Sequence, residues 1–80
     1  MPKILVVDDN AMMRTVMRAA LDRAGHKVTL AESGEKALKV VESGETFDLV
    51  VTDIHMPKMS GGDLTRTLRK ALPALKVLLI

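Results

Sequence analysis

Apolar residues follow two rhythms along the chain, and the alternation between them lays out the fold. Residues 3–7 carry Ile4-Leu5-Val6-Val7 without a break. The run is too short for a helix and rich in β-branched side chains, which reads as a strand covered on both faces and internal to a sheet. After Asp8-Asp9-Asn10, the residues Met13, Val16, Met17, Ala20, Leu21 and Ala24 recur at intervals of three and four, with Arg14, Arg18, Asp22 and Arg23 largely off that stripe. This spacing predicts an amphipathic helix. Asn10 is placed to cap it, and Gly25 to end it in the left-handed conformation that other residues adopt only at a steric cost.

Residues 26–31 alternate instead, with Val28 and Leu30 on one side and Lys27 and Thr29 on the other, the pattern of a half-covered strand at a sheet edge. Ser33-Gly34-Glu35 opens a second helix whose buried stripe is Ala37, Leu38 and Val41, whose exposed face is Glu35, Lys36, Lys39 and Glu42, and whose stop signal is Gly44. Residues 47–52 form a third strand, apolar at its centre and therefore internal. Ser60 stands three residues before Asp63, close to a capping box, and Leu64, Leu68, Ala71 and Leu72 follow at helical spacing until Pro73 ends the helix. Residues 76–80 are a fourth strand.

Four strands alternating with three helices predict an α/β fold, a doubly wound parallel sheet of the form β-α-β-α-β-α-β. Eighty residues with 48% hydrophobic content hold one small domain. Phe47 is the single aromatic and there are six Met, so the core is aliphatic. Twelve basic residues are interleaved with ten acidic ones, which, with no aromatic stacking platform, argues against nucleic-acid binding. The absence of Cys excludes disulfides and thiolate metal sites. No signal-peptide core or membrane-spanning run is present, so the expected location is cytoplasmic, away from the membrane.

The two internal strands both end in acids, Asp8 and Asp9 on one and Asp53 on the other. Carboxyl ends of neighbouring parallel strands lie side by side, so these three carboxylates converge, and their repulsion calls for a hard divalent cation such as Mg²⁺. Beside that cation an Asp can act as nucleophile toward a phosphoryl group. Singly, each acid has a plainer reading: Asp8-Asp9-Asn10 as a helix cap with dipole compensation, Asp53 as a solvated loop acid. Their convergence favours the metal site. His26 and His55 have no ligand spacing, Met13 and Met17 read as core, Arg14 and Arg18 as a solvated face, and Gly61-Gly62 matches no phosphate-binding pattern.

Ile4-Leu5-Val6-Val7-Asp8-Asp9, Phe47-Asp48-Leu49-Val50-Val51-Thr52-Asp53 and Met56-Pro57-Lys58-Met59-Ser60-Gly61 together resemble the receiver domain of two-component response regulators. The resemblance covers the whole chain. It implies a flavodoxin-like fold with strand order 2-1-3-4, Asp53 as phosphoacceptor from a histidine kinase, and Mg²⁺ bound by Asp9, by Asp8 mainly through water, by Asp53 and by the backbone carbonyl of His55. It also implies that residues 1–80 are the N-terminal portion of a receiver lacking helix 4, strand 5 and helix 5. A switch Thr or Ser would follow Ile80, and a Lys would end the missing strand. Gly62 stands where the family more often has an aliphatic residue.

The expected function is therefore that of a phosphoacceptor, not a conventional enzyme, with weak phosphorylation in this chain. The alternative is a structural half-domain that self-associates as a homo-oligomer through residues 77–80, whose run Val77-Leu78-Leu79-Ile80 reads as a strand covered on both faces, or through an exchanged element. A flavin or nucleotide binder of the same fold is opposed by acids at the strand ends.

Overall fold

The computed structural model describes residues 2–56 and 58–80. Met1 and Pro57, the latter in the predicted acid-bearing loop, lie outside the described residues. Seven elements alternate in the predicted order: β1 (Lys3–Val7), α1 (Ala11–Arg23), β2 (Lys27–Ala31), α2 (Gly34–Glu42), β3 (Leu49–Thr52), α3 (Gly61–Ala71) and β4 (Lys76–Leu79). The strands form one parallel sheet in the order β2-β1-β3-β4. This is the flavodoxin-like order, with β1 and β3 internal and β2 at an edge.

Each helix starts where a side chain replaces the missing backbone acceptor. Asn10 Oδ1 accepts from Met13 N at 3.0 Å, Ser33 Oγ from Lys36 N at 3.2 Å, and Ser60 Oγ from Asp63 N at 3.1 Å. Gly25 at φ 87° and Gly44 at φ 96° turn the chain out of α1 and α2.

The pleat divides the core in two. Leu5, Val7, Ala31 and Val50 pack with Ala37 of α2, with Leu64 and Leu68 of α3, and with Leu75, while Ile4, Val6 and Val51 pack with Met17 and Leu21 of α1. The strands thus bury alternate residues under different helices, which is why β1 needs a continuous apolar run.

Two expectations are modified. The six-residue stripe predicted for α1 is wider than the surface it buries: α1 has no fully buried residue, and Met13 and Val16 are 45% and 57% exposed. A helix rests on a sheet along one line of side chains, and here that line is Met17 and Leu21. The strand predicted over 47–52 begins at Leu49, because Phe47 packs into the core under α2 and α3 and Asp48 uses its carboxylate on Lys3 N at 2.7 Å. The under-covered fourth strand on which the half-domain alternative rests is present: α1 lies over β2 and β1, and Leu78 and Leu79 remain 51% and 43% exposed.

Candidate functional site

The register of the two internal strands places the acids. Val7 pairs with Thr52, so β1 and β3 end at the same level and the next residues, Asp8 and Asp53, emerge side by side. Asp53 N donates to Val7 O at 3.0 Å and Asp8 N to Ala31 O at 3.1 Å, which extends the ladder to the acids themselves. Asp8, Asp9 and Asp53 each present a carboxylate oxygen, and these three oxygens lie within 4.8 Å of one another. The convergence expected from the strand ends is present.

The three differ in environment. Asp8 is buried, at 4% exposure, and its carboxylate accepts from Asn10 N at 2.9 Å. Its backbone carbonyl accepts from Arg14 Nη1 at 2.7 Å. Asp9 is exposed and Asp53 half-buried. Asp53 Oδ1 accepts from His55 N at 3.2 Å, so the loop folds its own amide onto the acid. The His55 side chain is in an exposed residue and has no described partner.

Gly61 fixes the far end of this loop. Its N donates to Ile54 O at 3.1 Å, and a Cβ there would collide with Asp53 O and stand 3.1 Å from Ile54 Cα. Only a residue without a side chain lets α3 begin this close to the acid. Lys58 in the same loop has φ 68°, a conformation uncommon outside glycine.

Two open cavities flank the cluster. One of about 400 Å³ is lined by Asp9, Glu32, Lys36, Lys39, Met56 and Lys58 among others. The other, about 350 Å³, is lined by Asp8, Asn10, Met12, Met13, Val16 and Asp53. A larger one of about 540 Å³, lined by Phe47, Leu72, Leu75 and Lys76 among others, sits by the start of β4 and includes none of the three acids. Size therefore does not mark the site; the convergent carboxylates do. Beside the cluster, the hydrogen bond and charge of Lys36, with a smaller contribution from Arg14, hold the Glu32 carboxyl below its ordinary range. Arg14, expected on a solvated face, is instead half-buried and bonded to the Asp8 carbonyl; Gly61, expected only as part of the loop motif, sits against the Asp53 backbone; Glu32 was not singled out by spacing. His26 lies at the α1–β2 turn, where its Nδ1 is buried without a hydrogen-bond partner among the described residues.

Fold and site define a doubly wound α/β domain carrying an acid triad at the carboxyl ends of its internal strands. The sequence pattern of the response regulator receiver domain matches residues 4–80, and the chain belongs to that family. It is 42% identical over 77 residues to the DNA-binding transcriptional regulator NtrC of Rhizobium meliloti, a match covering 96% of this chain and 16% of that protein. The response regulator protein TrrA of Thermotoga maritima, solved in complex with Mg(2+)-BeF, superposes with a TM-score of 0.93 at 39% identity, covering 99% of this chain and 68% of that one. TrrA has also been solved in complex with the histidine kinase ThkA, with a TM-score of 0.92 at 39% identity over 99% of this chain and 67% of that one. The chain spans from 6% to 32% of the length of these and similar curated relatives.

Proposed function

We propose that this domain accepts a phosphoryl group on Asp53 from a phosphohistidine of a histidine kinase, with Mg²⁺ held by Asp8, Asp9, Asp53 and the backbone carbonyl of His55. The observation that carries the reading is the meeting of three carboxylate oxygens within 4.8 Å at the ends of adjacent strands. An all-oxygen donor set with several negative charges fits Mg²⁺, which binds through one or a few carboxylates and keeps waters. When bound, the cation would offset the negative charge of the acids and of the transferred group.

The chain's own residues orient the acceptor. His55 N holds one Asp53 oxygen, leaving the other free to attack, and Asn10 N keeps the Asp8 carboxylate turned into the cluster. The transfer forms an O–P bond at Asp53 and breaks the N–P bond of the phosphohistidine, whose nitrogen keeps the electron pair and takes a proton. With a kinase as donor, the location that goes with this reading is the cytoplasm. Among the described residues no helix is long and apolar enough to cross a membrane.

Modification of the 80-residue chain is expected to be weak. Among the described residues no Lys or Arg pairs with the Asp53 carboxylate, and a preorganised cation at such a centre commonly contributes orders of magnitude in rate. Intact-mass measurement after incubation with Mg²⁺ and a small phosphodonor tests this. Low, Mg²⁺-dependent modification is expected, absent in Asp53→Asn; modification that persists in that variant would overturn the assignment.

A second reading is favoured by one observation. Leu78, Leu79 and Ile80 are 51%, 43% and 46% exposed on consecutive residues, an apolar strip suited to pairing with another copy. The 80-residue chain is then a homo-oligomer through residues 77–80. Light scattering over a concentration series should show association, and a strictly monomeric folded species would exclude it.

A further inference from the structure

Arg14 stands where helix electrostatics alone would not put a cation. Its backbone N–H donates to Asn10 O at the start of α1, and no acid occupies that first turn. A positive side chain so near a helix N-terminus is disfavoured by the helix dipole unless something negative compensates it. Its side chain turns instead to the backbone of the acidic segment. Nη1 of the half-buried Arg14 reaches back to the carbonyl of Asp8 at 2.7 Å, between a buried Asp8 and an exposed Asp9. Its exposed neighbour Arg18 instead pairs with Asp22 at 3.7 Å on the solvent side. Among the described residues, Arg14 is the one cationic side chain that hydrogen-bonds to the acid-bearing segments.

We propose that Arg14 is the resident counter-cation of the acidic cluster, offsetting the repulsion among Asp8, Asp9 and Asp53 when no divalent ion is bound and thereby weakening the cluster's hold on such an ion. This rests in part on the Mg²⁺ reading above, and it names a residue that regulates that site. The charge is the operative property. A planar guanidinium delivers it through a short charge-assisted bond while its other N–H groups remain available. Of the other cations beside the cluster, Lys36 is engaged by Glu32 at 2.5 Å, while Lys39 and Lys58 line the cavity with Asp9 and, among the described residues, make no hydrogen bond to the acids. Arg14 acts on the cluster and touches no reacting atom, so it is a positioning and tuning residue.

Arg14→Gln keeps an amide donor and loses the charge; Arg14→Lys keeps the charge and loses the fork. Mg²⁺ affinity is read by calorimetry or by amide NMR shifts, since the chain has no Trp or Tyr. Arg14→Gln should bind Mg²⁺ about three- to tenfold more tightly than the parent, as expected when one positive charge near a divalent ion is removed. Arg14→Lys should stay within about twofold of the parent, because its charge is retained. Equal or weaker binding by Arg14→Gln overturns the proposal, because hydrogen-bond placement would then outweigh charge. Without Mg²⁺, Arg14→Gln should melt below the parent at low salt, with the gap closing by about 1 M NaCl as screening replaces the counter-cation. A gap insensitive to salt also overturns it. If the parent binds no Mg²⁺ the metal reading fails by itself, and the salt series alone decides the role of Arg14.

Discussion

Gly61 and Gly62 are adjacent and chemically identical, yet the fold depends on only one. A Cβ on Gly61 would collide with the backbone of Asp53, whereas one on Gly62 would meet nothing closer than Ser60 Oγ at 3.8 Å. Gly61→Ala must push α3 away from the acid loop, an overpacking change costing about 1–3 kcal/mol. Gly62→Ala should instead stabilise by about 0.5–1 kcal/mol, because alanine is the better helix former at an open position. Chemical denaturation of the two variants checks this, and effects of the same sign would contradict the close approach. The sequence showed that Gly62 weakens a helix, which is a local property. It did not show why Gly61 is required, since the backbone it approaches lies eight residues earlier. Arg14 and Arg18 were likewise indistinguishable by spacing, and only the turn back to Asp8 separates them. Asp8, Asp9 and Asp53 were legible because each directly follows a strand or stands one residue beyond it, and strand ends in a parallel sheet have fixed neighbours.

At the scale of elements, all seven were readable because their apolar periods differ: continuous in β1 and β3, alternating in β2, three- and four-spaced in the helices. Periodicity does not report how much of a stripe finds a partner. Leu64 in α3 is fully buried and Val16 in α1 is 57% exposed, although both sit on predicted core stripes. Leu64→Ala should therefore cost about 2–5 kcal/mol, and Val16→Ala no more than about 0.5 kcal/mol, the range of ordinary surface changes. Comparable losses in equilibrium unfolding would mean that α1 packs more deeply than the structure shows. The link between the end of β2 and the start of α2 has a pH signature. Glu32 follows β2, and its carboxyl lies below the reference value of 4.5, first through the hydrogen bond and charge of Lys36. A carboxyl depressed in the folded state contributes stability above its unfolded pKa and loses it as the pH falls through the folded value. Glu32 is exposed, so the contribution is small. Carbon-detected NMR titration should place Glu32 below 4.5, and Lys36→Ala should bring it back up; an unmoved titration would remove the pair as its cause.

For the molecule as a whole, the sheet concentrates apolar matter at its centre and three like charges at one end, so stability and site chemistry are coupled. Any ion that binds the folded cluster and not the unfolded chain adds RT ln(1 + [ion]/Kd), about 1.4 kcal/mol at ten times Kd. Asp9 is the member best suited to expose this coupling, being exposed at the surface while Asp8 is buried and hydrogen-bonded to Asn10 N. Replacing Asp9 by Asn removes one of three mutually repelling charges without opening a cavity. The metal-free protein should then melt at or above the parent temperature at low salt, because like charges this close destabilise the state that gathers them. On the proposed Mg²⁺ reading, the parent melts higher with Mg²⁺ added, and the same change, by removing an oxygen anion that a hard cation needs, should largely abolish that rise. The two shifts oppose each other, and that opposition is the diagnostic. A merely structural Asp9 would lower the melting temperature with and without Mg²⁺ alike. A surface acid outside the cluster would change neither, and a calorimetric series in Mg²⁺ distinguishes all three.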